Sequence, residues 1–273
     1  MCGVKTVGGI SRYVLVLGAL GLCSLASAGE YVSFYGFADV RTAYHSRGVI
    51  VNKDPFSATY ACGRAHLGPF GYVGAWMWNV SAYTGTGQSA RRRYAFHEND
   101  FAPEYGYLLD LAEGWSLDST VNRKWIDLQG YAGHPETMHE WTFRQTLDNP
   151  YVTPYYLMRY SIAPTCWGYW DVGVFRRFAL AEGLSLTPKV YCEFGDGHHF
   201  EKQYGVRDHG CGLQALNVEL RLDYALNDYL GLYAGLQEFV LVDPEARSAF
   251  RQSSAVQSVT ELTIFTIGVY VKY

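Results

Sequence analysis

The chain has 273 residues, of which 18% are charged and 16% are aromatic, and it carries a formal net charge of −4. So few charges and so many aromatic residues exclude an intrinsically disordered chain and a coiled coil. The negative charge gives no reason to expect nucleic-acid binding, and a mean hydropathy of −0.08 excludes a helical membrane protein. The composition, with 23 tyrosines, therefore favours a β-rich protein.

The first 28 residues have the pattern of a secretory signal peptide. Lys5 and Arg12 precede an apolar run over 13–22, and small residues follow at 26–28. We expect cleavage after Ala28, which leaves 29–273 as a single domain. A lipoprotein, because of Cys23, and an uncleaved anchor are the alternatives.

Alternation of apolar and polar residues predicts about twelve long strands after the signal peptide. The clearest is 212–226, where every second residue from Leu216 to Leu226 is Leu, Val or Tyr and the intervening residues are mostly polar. In chain order, the predicted strands are 31–44, 56–67, 71–81, 104–112, 115–131, 137–147, 151–162, 167–180, 184–195, 212–226, 229–242 and 259–273.

The connections between these strands alternate in length. Tight turns are predicted at 68–70, 113–114, 148–150, 182–183 and 227–228, and most of the other connections are longer and polar: 45–55, 82–103, 132–136, 163–166, 196–211 and 243–258. Short turns at one end and long loops at the other are typical of transmembrane barrels. We therefore predict an all-β fold, a single-chain antiparallel up-and-down β-barrel of about 12 strands, with 10 or 14 as alternatives. A secreted sandwich is the competing architecture.

The last strand carries a recognisable pattern. Thr266, Gly268, Val271 and Tyr273 resemble the closing-strand signal of Gram-negative outer-membrane barrels, with a polar residue, a glycine, an apolar residue and a terminal aromatic residue at matching spacing. The resemblance implies a bacterial outer-membrane location. It also implies that the barrel-assembly machinery reads this segment.

A second resemblance involves the stretch that ends the first strand. Tyr44, Arg47 and Gly48 form a Tyr-x-x-Arg-Gly stretch, and Trp76 and Asn79 lie in a similar third strand. Both features are similar to an uncharacterised family of bacterial outer-membrane barrels. This resemblance implies a fold and a location, but no activity.

With the apolar residues facing lipid, the polar phase of the strands would line the lumen. Charges of both signs fall in this phase, and they need water or ion partners there. Asp118 and Lys124 belong to strands whose orientation is ambiguous. The candidate lumen-lining residues are Asp39, Arg41, Arg64, Glu140, Arg144, Arg159, Asp171, Arg177, Lys189, Glu193, Glu219, Arg221 and Asp223.

Three functions follow from this pattern. The first is a small pore for polar solutes, because hydrated charges of both signs create an electrostatic filter. The second is a plugged structural or surface-interaction barrel, because a barrel of twelve strands is intermediate in size between small barrels filled by side chains and large barrels with an open channel. The third is an outer-membrane hydrolase that uses His45-Ser46, His134, His139 or Asp208-His209. We favour the pore and expect no enzyme activity, because no convincing catalytic constellation is present.

Other features concern the loops. Arg91-Arg92-Arg93 suggests contact with lipopolysaccharide phosphates beside the outer-membrane lipid. The polar residues of 196–211, including His198, His199 and Cys211, have no recognised metal spacing, so we expect neither a metal nor another cofactor. Export crosses an oxidising compartment, which allows a disulfide, and Cys166 with Cys211 is the best candidate pair.

Overall fold

The computed structural model describes residues 31–46, 49–52, 55–82, 96–129, 136–164, 166–252 and 260–273. The predicted signal peptide, Arg47-Gly48, the Arg91–Arg93 run and His134 lie outside the described residues, and the side chain of Ser46 is not described. No helix of the described part is long and apolar enough to cross a membrane.

The described residues form fifteen strands and two α-helices, with a 3-10 turn at Gly68–Phe70. Helix α1 spans Gly197–Tyr204 and helix α2 spans Pro244–Gln252. The strands are β1 Val32–Arg41, β2 Tyr44–Ser46, β3 Val49–Asn52, β4 Phe56–His66, β5 Tyr72–Ala82, β6 Phe96–Ala112, β7 Trp115–Gln129, β8 Glu136–Asp148, β9 Thr153–Ala163, β10 Trp167–Phe175, β11 Phe178–Ala181, β12 Leu184–Gly195, β13 Gly212–Ala225, β14 Leu230–Leu241 and β15 Glu261–Lys272.

Twelve of the strands form a closed antiparallel ring, which confirms the predicted barrel. The order around the ring is β1, β4, β5, β6, β7, β8, β9, β10, β12, β13, β14 and β15, and β15 pairs with β1. Strand β11 pairs only with β12, while β2 and β3 form a separate hairpin. Closure leaves no edge strand among these twelve, so the backbone polar groups of the ring satisfy one another.

Strand β13 shows how the sequence pattern places side chains. Leu216, Val218 and Leu220 lie on the outer surface and are 40%, 46% and 41% exposed. Asn217, between the first two, points inward and is fully buried. Because side chains alternate across a strand, the apolar phase forms the outer face and the polar phase fills the interior.

Glu238 on β14 interrupts the apolar phase of the sequence, and its position explains why. It lies on the outer face near the long-loop end, opposite Thr263, whose hydroxyl donates a hydrogen bond of 2.6 Å to its carboxylate. Glu261, the next outward residue on that strand beyond Thr263, is also exposed. The apolar band therefore ends below this level, at Leu236 and Phe265.

The two ends of the barrel differ as predicted. Both termini of the described barrel and the tight turns lie at one end, and the long connections lie at the other. The predicted loops 196–211 and 243–258 contain α1 and α2. The prediction that 82–103 is wholly a loop was wrong, because β6 already begins at Phe96.

Strand β6 was predicted too short because its first half lacks an apolar phase. Glu98, Asp100 and Glu104 point inward and are buried, at 2%, 4% and 8% exposure. Pro103 on the outer face has no N–H to donate, and the pairing with β7 skips from Phe101 to Glu104. Asn99, between the first two acids, is polar too, and a proline follows at 103, so no apolar phase marks the start of the strand in the sequence.

A close approach of a tyrosine to a glycine shapes the wall near the short-turn end. Tyr72 on β5 lies across Gly106 on β6, where an added Cβ atom would overlap the tyrosine ring. The Tyr72 hydroxyl contacts the Thr120 hydroxyl at 2.8 Å and donates to Asp118 at 3.0 Å. Because residue 106 is a glycine, the Tyr72 ring can lie flat against β6 while the Tyr72 hydroxyl reaches β7.

Candidate functional site in the barrel lumen

The middle of the barrel holds a cavity of about 450 Å³. Its walls come from both sides of the ring, so the cavity lies in the lumen between the two ends. The acidic lining residues are Glu98, Asp100, Asp171, Glu193 and Glu219, and the basic ones are Arg41, Lys124, Arg159 and Lys189. The aromatic lining residues are Phe37, Tyr44, Tyr60, Trp76, Trp78, Tyr155, Tyr169 and Tyr191.

Every basic side chain of the lining contacts a carboxylate. Arg159 Nη1 lies 3.1 Å from Asp171, and Lys189 Nζ lies 3.4 Å from Glu219. Lys124 pairs with Asp100. Arg41 pairs with Asp39 below the cavity at 2.9 Å. Because the two signs are paired locally, the lumen contains many charges with little net charge.

Tyr44 and His45 cross the lumen above the cavity. Both follow β1, where the chain turns inward instead of continuing outward. The Tyr44 hydroxyl donates to Glu98 on β6 at 2.8 Å, and His45 Nε2 lies 3.2 Å from Glu193 on β12. Strands β6 and β12 belong to opposite sides of the ring. This crossing segment, Tyr44–His45, therefore narrows the lumen at the long-loop side of the cavity.

Two groups of aromatic rings face each other across the cavity. Phe37, Tyr60, Trp76 and Trp78 come from β1, β4 and β5, with the Phe37 and Tyr60 rings stacked at 5.3 Å. Tyr155, Tyr169 and Tyr191 come from β9, β10 and β12, on the opposite part of the ring. We call these groups the tryptophan wall and the tyrosine wall.

Cations lie over rings of both walls. Arg41 lies 5.2 Å from the Trp78 ring, and Lys124 lies 5.5 Å from the Trp76 ring. On the other side, Lys189 lies 4.2 Å from the Tyr191 ring, and Arg159 lies 5.2 Å from the Tyr169 ring. Contact with a carboxylate and a ring fixes each long side chain against the wall.

Helices α1 and α2 pack over the long-loop end of β13 and β14. Phe200 and Tyr204 of α1 form a buried cluster with Phe239 and Leu241 of β14 and with Ala246 of α2. Asp196 caps α1 by accepting from the His199 N–H at 2.7 Å. The two helices thus cover one side of the lumen entrance.

His209 connects the segment after α1 to the start of α2. Its ring stacks on Phe200 at 3.7 Å, and Nε2 lies 3.1 Å from Asp243. Asp243 also accepts from the Ala246 N–H at 2.8 Å, which caps α2. Burial lowers the pKa of His209, but the hydrogen bonds to the Gly210 carbonyl and to Asp243 outweigh burial and raise the pKa above its usual value. Burial raises the pKa of Tyr204.

The structure brings most of the predicted lumen residues together on the inner face. Arg41, Arg159, Asp171, Lys189, Glu193 and Glu219 line the cavity. Asp39 and Glu140 are buried on inner faces beside it. Nearer the short-turn end, Arg64 pairs with Glu104 at 2.6 Å, Arg144 with Asp118 at 3.4 Å, and Arg221 with Asp223 at 2.8 Å. Arg177 is exposed and donates to Ser185 at 2.9 Å.

Sequence reasoning missed several residues of the site. Glu98 and Asp100 fall in the predicted loop 82–103, and Tyr44 is the last residue of the predicted first strand 31–44, with no contact across the lumen expected. The inward turn of the crossing segment has no periodic signal, because it depends on Glu98 and Glu193, which are distant in sequence. Trp76 and Trp78 could have been predicted to share one face of their strand, because each lies between smaller residues at a spacing of two.

The residues of the closing-strand pattern occupy the seam of the barrel. Tyr273 exchanges backbone hydrogen bonds of 2.8 and 2.9 Å with Phe34. Gly268 lies opposite both Asp39 and Tyr233, and Thr266 lies opposite Arg41. Val271 is on the outer face of the same strand. Their role in assembly stays a prediction.

The loop features have separate surroundings. Cys166 and Cys211 are free and exposed in this structure, and Cys62 and Cys192 are also free. The pairing of Cys166 with Cys211 therefore stays a prediction.

Among the described residues, no group of three or more His, Cys, Asp or Glu is placed to hold a metal ion. His45 contacts Glu193, His139 packs 6.5 Å from Trp125 and His209 contacts Asp243, so these histidines do not form one constellation.

Several solved structures superpose on this chain. The COG4313 outer membrane channel from Pseudomonas putida F1 superposes with a TM-score of 0.56 and 8% identity, over 89% of this chain and 96% of that one. The KdgM porin superposes with a TM-score of 0.47 and 8% identity, over 88% of this chain and 99% of that one. Outer membrane phospholipase A from Escherichia coli superposes with a TM-score of 0.46 and 13% identity, over 88% of this chain and 92% of that one. Comparison with protein-family models and with curated proteins returns no match. At 8% identity the first likeness shows a shared fold alone, that of a closed antiparallel β-barrel.

Proposed function

We propose that this protein is a bacterial outer-membrane channel for small polar solutes. The observation that carries the proposal is the cavity of about 450 Å³ within a lumen lined by nine charged side chains. A barrel that serves only as a scaffold has no need of charges in its interior, because a packed apolar interior costs less. Charged groups around an internal space are typical of a pathway for polar solutes.

The proposal extends to location and partners. The outer face from Leu216 to Leu226 is apolar and exposed, which suits contact with outer-membrane lipid. Export through the periplasm after cleavage at Ala28, recognition of the closing strand by the barrel-assembly machinery and contact with lipopolysaccharide belong to the same proposal. No nucleic acid and no cofactor take part in it.

Single-channel recording tests the proposal directly. The purified full-length mature protein, folded in detergent, is inserted in a planar bilayer with KCl on both sides. Gel mobility before and after boiling establishes in parallel that the sample is a folded barrel. We expect discrete conductance steps, and folded protein that gives none would overturn the channel.

A plugged barrel is the second candidate, and the crossing segment favours it. Tyr44 is 6% exposed and joins opposite walls together with His45. If the lumen is permanently closed, the wild type gives no steps while a variant that lacks both side chains does. That pair of results would replace the channel with the plugged barrel.

A further inference from the structure

We propose that the lumen cavity is a binding site for a neutral polyhydroxylated solute of about the size of a monosaccharide. The proposal rests on the proposed channel function and names the class of solute that the channel would recognise. It is carried by the size of the cavity, its two aromatic walls, its paired charges and unused polar atoms at its edge.

The cavity has the dimensions of a small-molecule site. Its volume of about 450 Å³ lies within the range of roughly 300–1,000 Å³ typical of ligand sites. The crossing segment limits it on the long-loop side, so a solute that enters is held between the two walls. A solute held in this cavity passes through the lumen more slowly than one that makes no contact with the walls.

The aromatic walls suit the apolar face of a sugar ring. An aromatic face carries partial negative charge and attracts the slightly positive hydrogens on the carbons of a sugar. Trp76 and Trp78 are on one side and Tyr155 and Tyr191 are on the other, so a flat ring in the cavity lies between aromatic side chains, beside the cations that contact them. An inorganic anion is disfavoured by these partly negative faces.

The paired charges favour a neutral solute over a charged one. Arg41, Lys124, Arg159 and Lys189 each contact a carboxylate, so an anionic solute would have to displace one of these carboxylates. Glu98 accepts a hydrogen bond from Tyr44 and Glu193 contacts His45, so a cationic solute would have to compete with these contacts for either acid. Hydroxyl groups can donate to these carboxylates and accept from the bases without breaking the pairs.

Polar atoms at the edge of the cavity retain unused capacity. Among the described residues, no hydrogen-bond partner is present for the buried Tyr155 hydroxyl or for Asp171 Oδ1, whose other oxygen accepts from Arg159. Asp171 is 5% exposed and, with Tyr155, belongs to the cavity lining. A buried polar atom without a partner is unfavourable, so a solute hydroxyl that reaches it gains a full hydrogen bond.

The test compares three sugars that share one ring and differ in charge. D-glucose, D-glucuronate and D-glucosamine are titrated against the folded full-length mature protein, with tryptophan emission as the equilibrium readout. Interruption of single-channel current by each sugar is the second readout. We expect glucose to bind more tightly than both charged analogues and to interrupt the current at lower concentration.

Two matched pairs of variants locate the site. Tyr155→Phe removes only the hydroxyl and should weaken glucose binding about two- to tenfold, whereas Tyr160→Phe, on the outer face of the same strand, should not change it. Trp76→Leu should abolish binding, whereas Trp141→Leu on the outer face should not. Both outward residues are exposed, at 42% and 45%.

The outcomes separate this inference from the channel function. Conductance without any preference for glucose over glucuronate and glucosamine overturns the neutral-solute site and leaves the channel. Glucose binding that Tyr155→Phe weakens, in folded protein without conductance, supports the site and overturns the channel. Equal loss of binding in Tyr155→Phe and Tyr160→Phe assigns the effect to general destabilisation and overturns the site.

Discussion

Truncating both Tyr44 and His45 to alanine should convert a narrowed lumen into a wider pore. The wild-type segment is held by the hydrogen bond from Tyr44 to Glu98 at 2.8 Å and by the contact of His45 with Glu193 at 3.2 Å. Hydrogen bonds to charged groups contribute about 1.5–3 kcal/mol each, so the two together hold the segment by about 3–6 kcal/mol. That energy corresponds to an open fraction of about one in a hundred to one in ten thousand.

Planar-bilayer recording should therefore show a small steady conductance with rare larger openings in the wild type. The double variant should remain at the larger level. It also uncovers two carboxylates, so the reversal potential in a KCl gradient should shift towards that of K⁺. Tyr44→Phe keeps the ring but loses the bond to Glu98, and it should only make the larger openings more frequent.

The control is a double variant with the same change in composition outside the lumen. Tyr160→Ala with His198→Ala removes an outward tyrosine and an exposed histidine of α1. Its conductance and selectivity should equal those of the wild type. If the Tyr44 and His45 double variant folds and also keeps the wild-type conductance and reversal potential, the crossing segment does not obstruct the lumen, and the reasoning is refuted.

Three further predictions concern stability and assembly. Gly106→Ala should lower the free energy of unfolding by about 1–3 kcal/mol, because the added methyl group overpacks the wall. Gly63→Ala should leave this free energy unchanged, because an added Cβ atom there has nothing within 4 Å. Urea titration of the folded barrel compares the two variants. The raised pKa of His209 stabilises the packing of α1 on α2 below its unfolded pKa of about 6.5, and this stabilisation is lost as the pH rises through the folded value. Amide hydrogen exchange in α1 of the wild type should therefore rise with pH more steeply than the intrinsic exchange rate does. An equally steep rise in a His209→Gln variant would contradict this prediction. Deleting Tyr273 should reduce the amount of barrel in the outer membrane more than Tyr229→Ala does, as measured by heat-dependent gel mobility, and equal yields would remove the assembly role.

Much of the barrel was predictable from its alternating strands. In β13 the residues on the outer face of the barrel are apolar and those that face the lumen are mostly polar, so a period of two is visible in the sequence. The prediction failed at the start of β6. There Glu98 and Asp100 flank the polar Asn99, so no apolar phase marks the strand, although the neighbouring strands still provide hydrogen-bond partners.

The site was predictable only in composition. Inward charges such as Arg159 and Asp171 follow from strand phase, but phase alone does not say which base meets which acid. The pairing of Lys124 with Asp100 depends on the register between β6 and β7, which the acidic start of β6 conceals in the sequence. The crossing segment also escaped prediction, because a short turn has no periodicity.

The sequence by itself determined the architecture of this protein. Side-chain alternation and the lengths of the connections are local properties, and together they specify a closed sheet with one apolar face and two unlike ends. Only the tertiary structure decided what occupies the lumen. Tyr44 meets Glu98 and His45 meets Glu193 across 54 and 148 residues of chain. Closing the ring brings these side chains together, since contacts across a lumen depend on register and barrel diameter, which no single strand encodes.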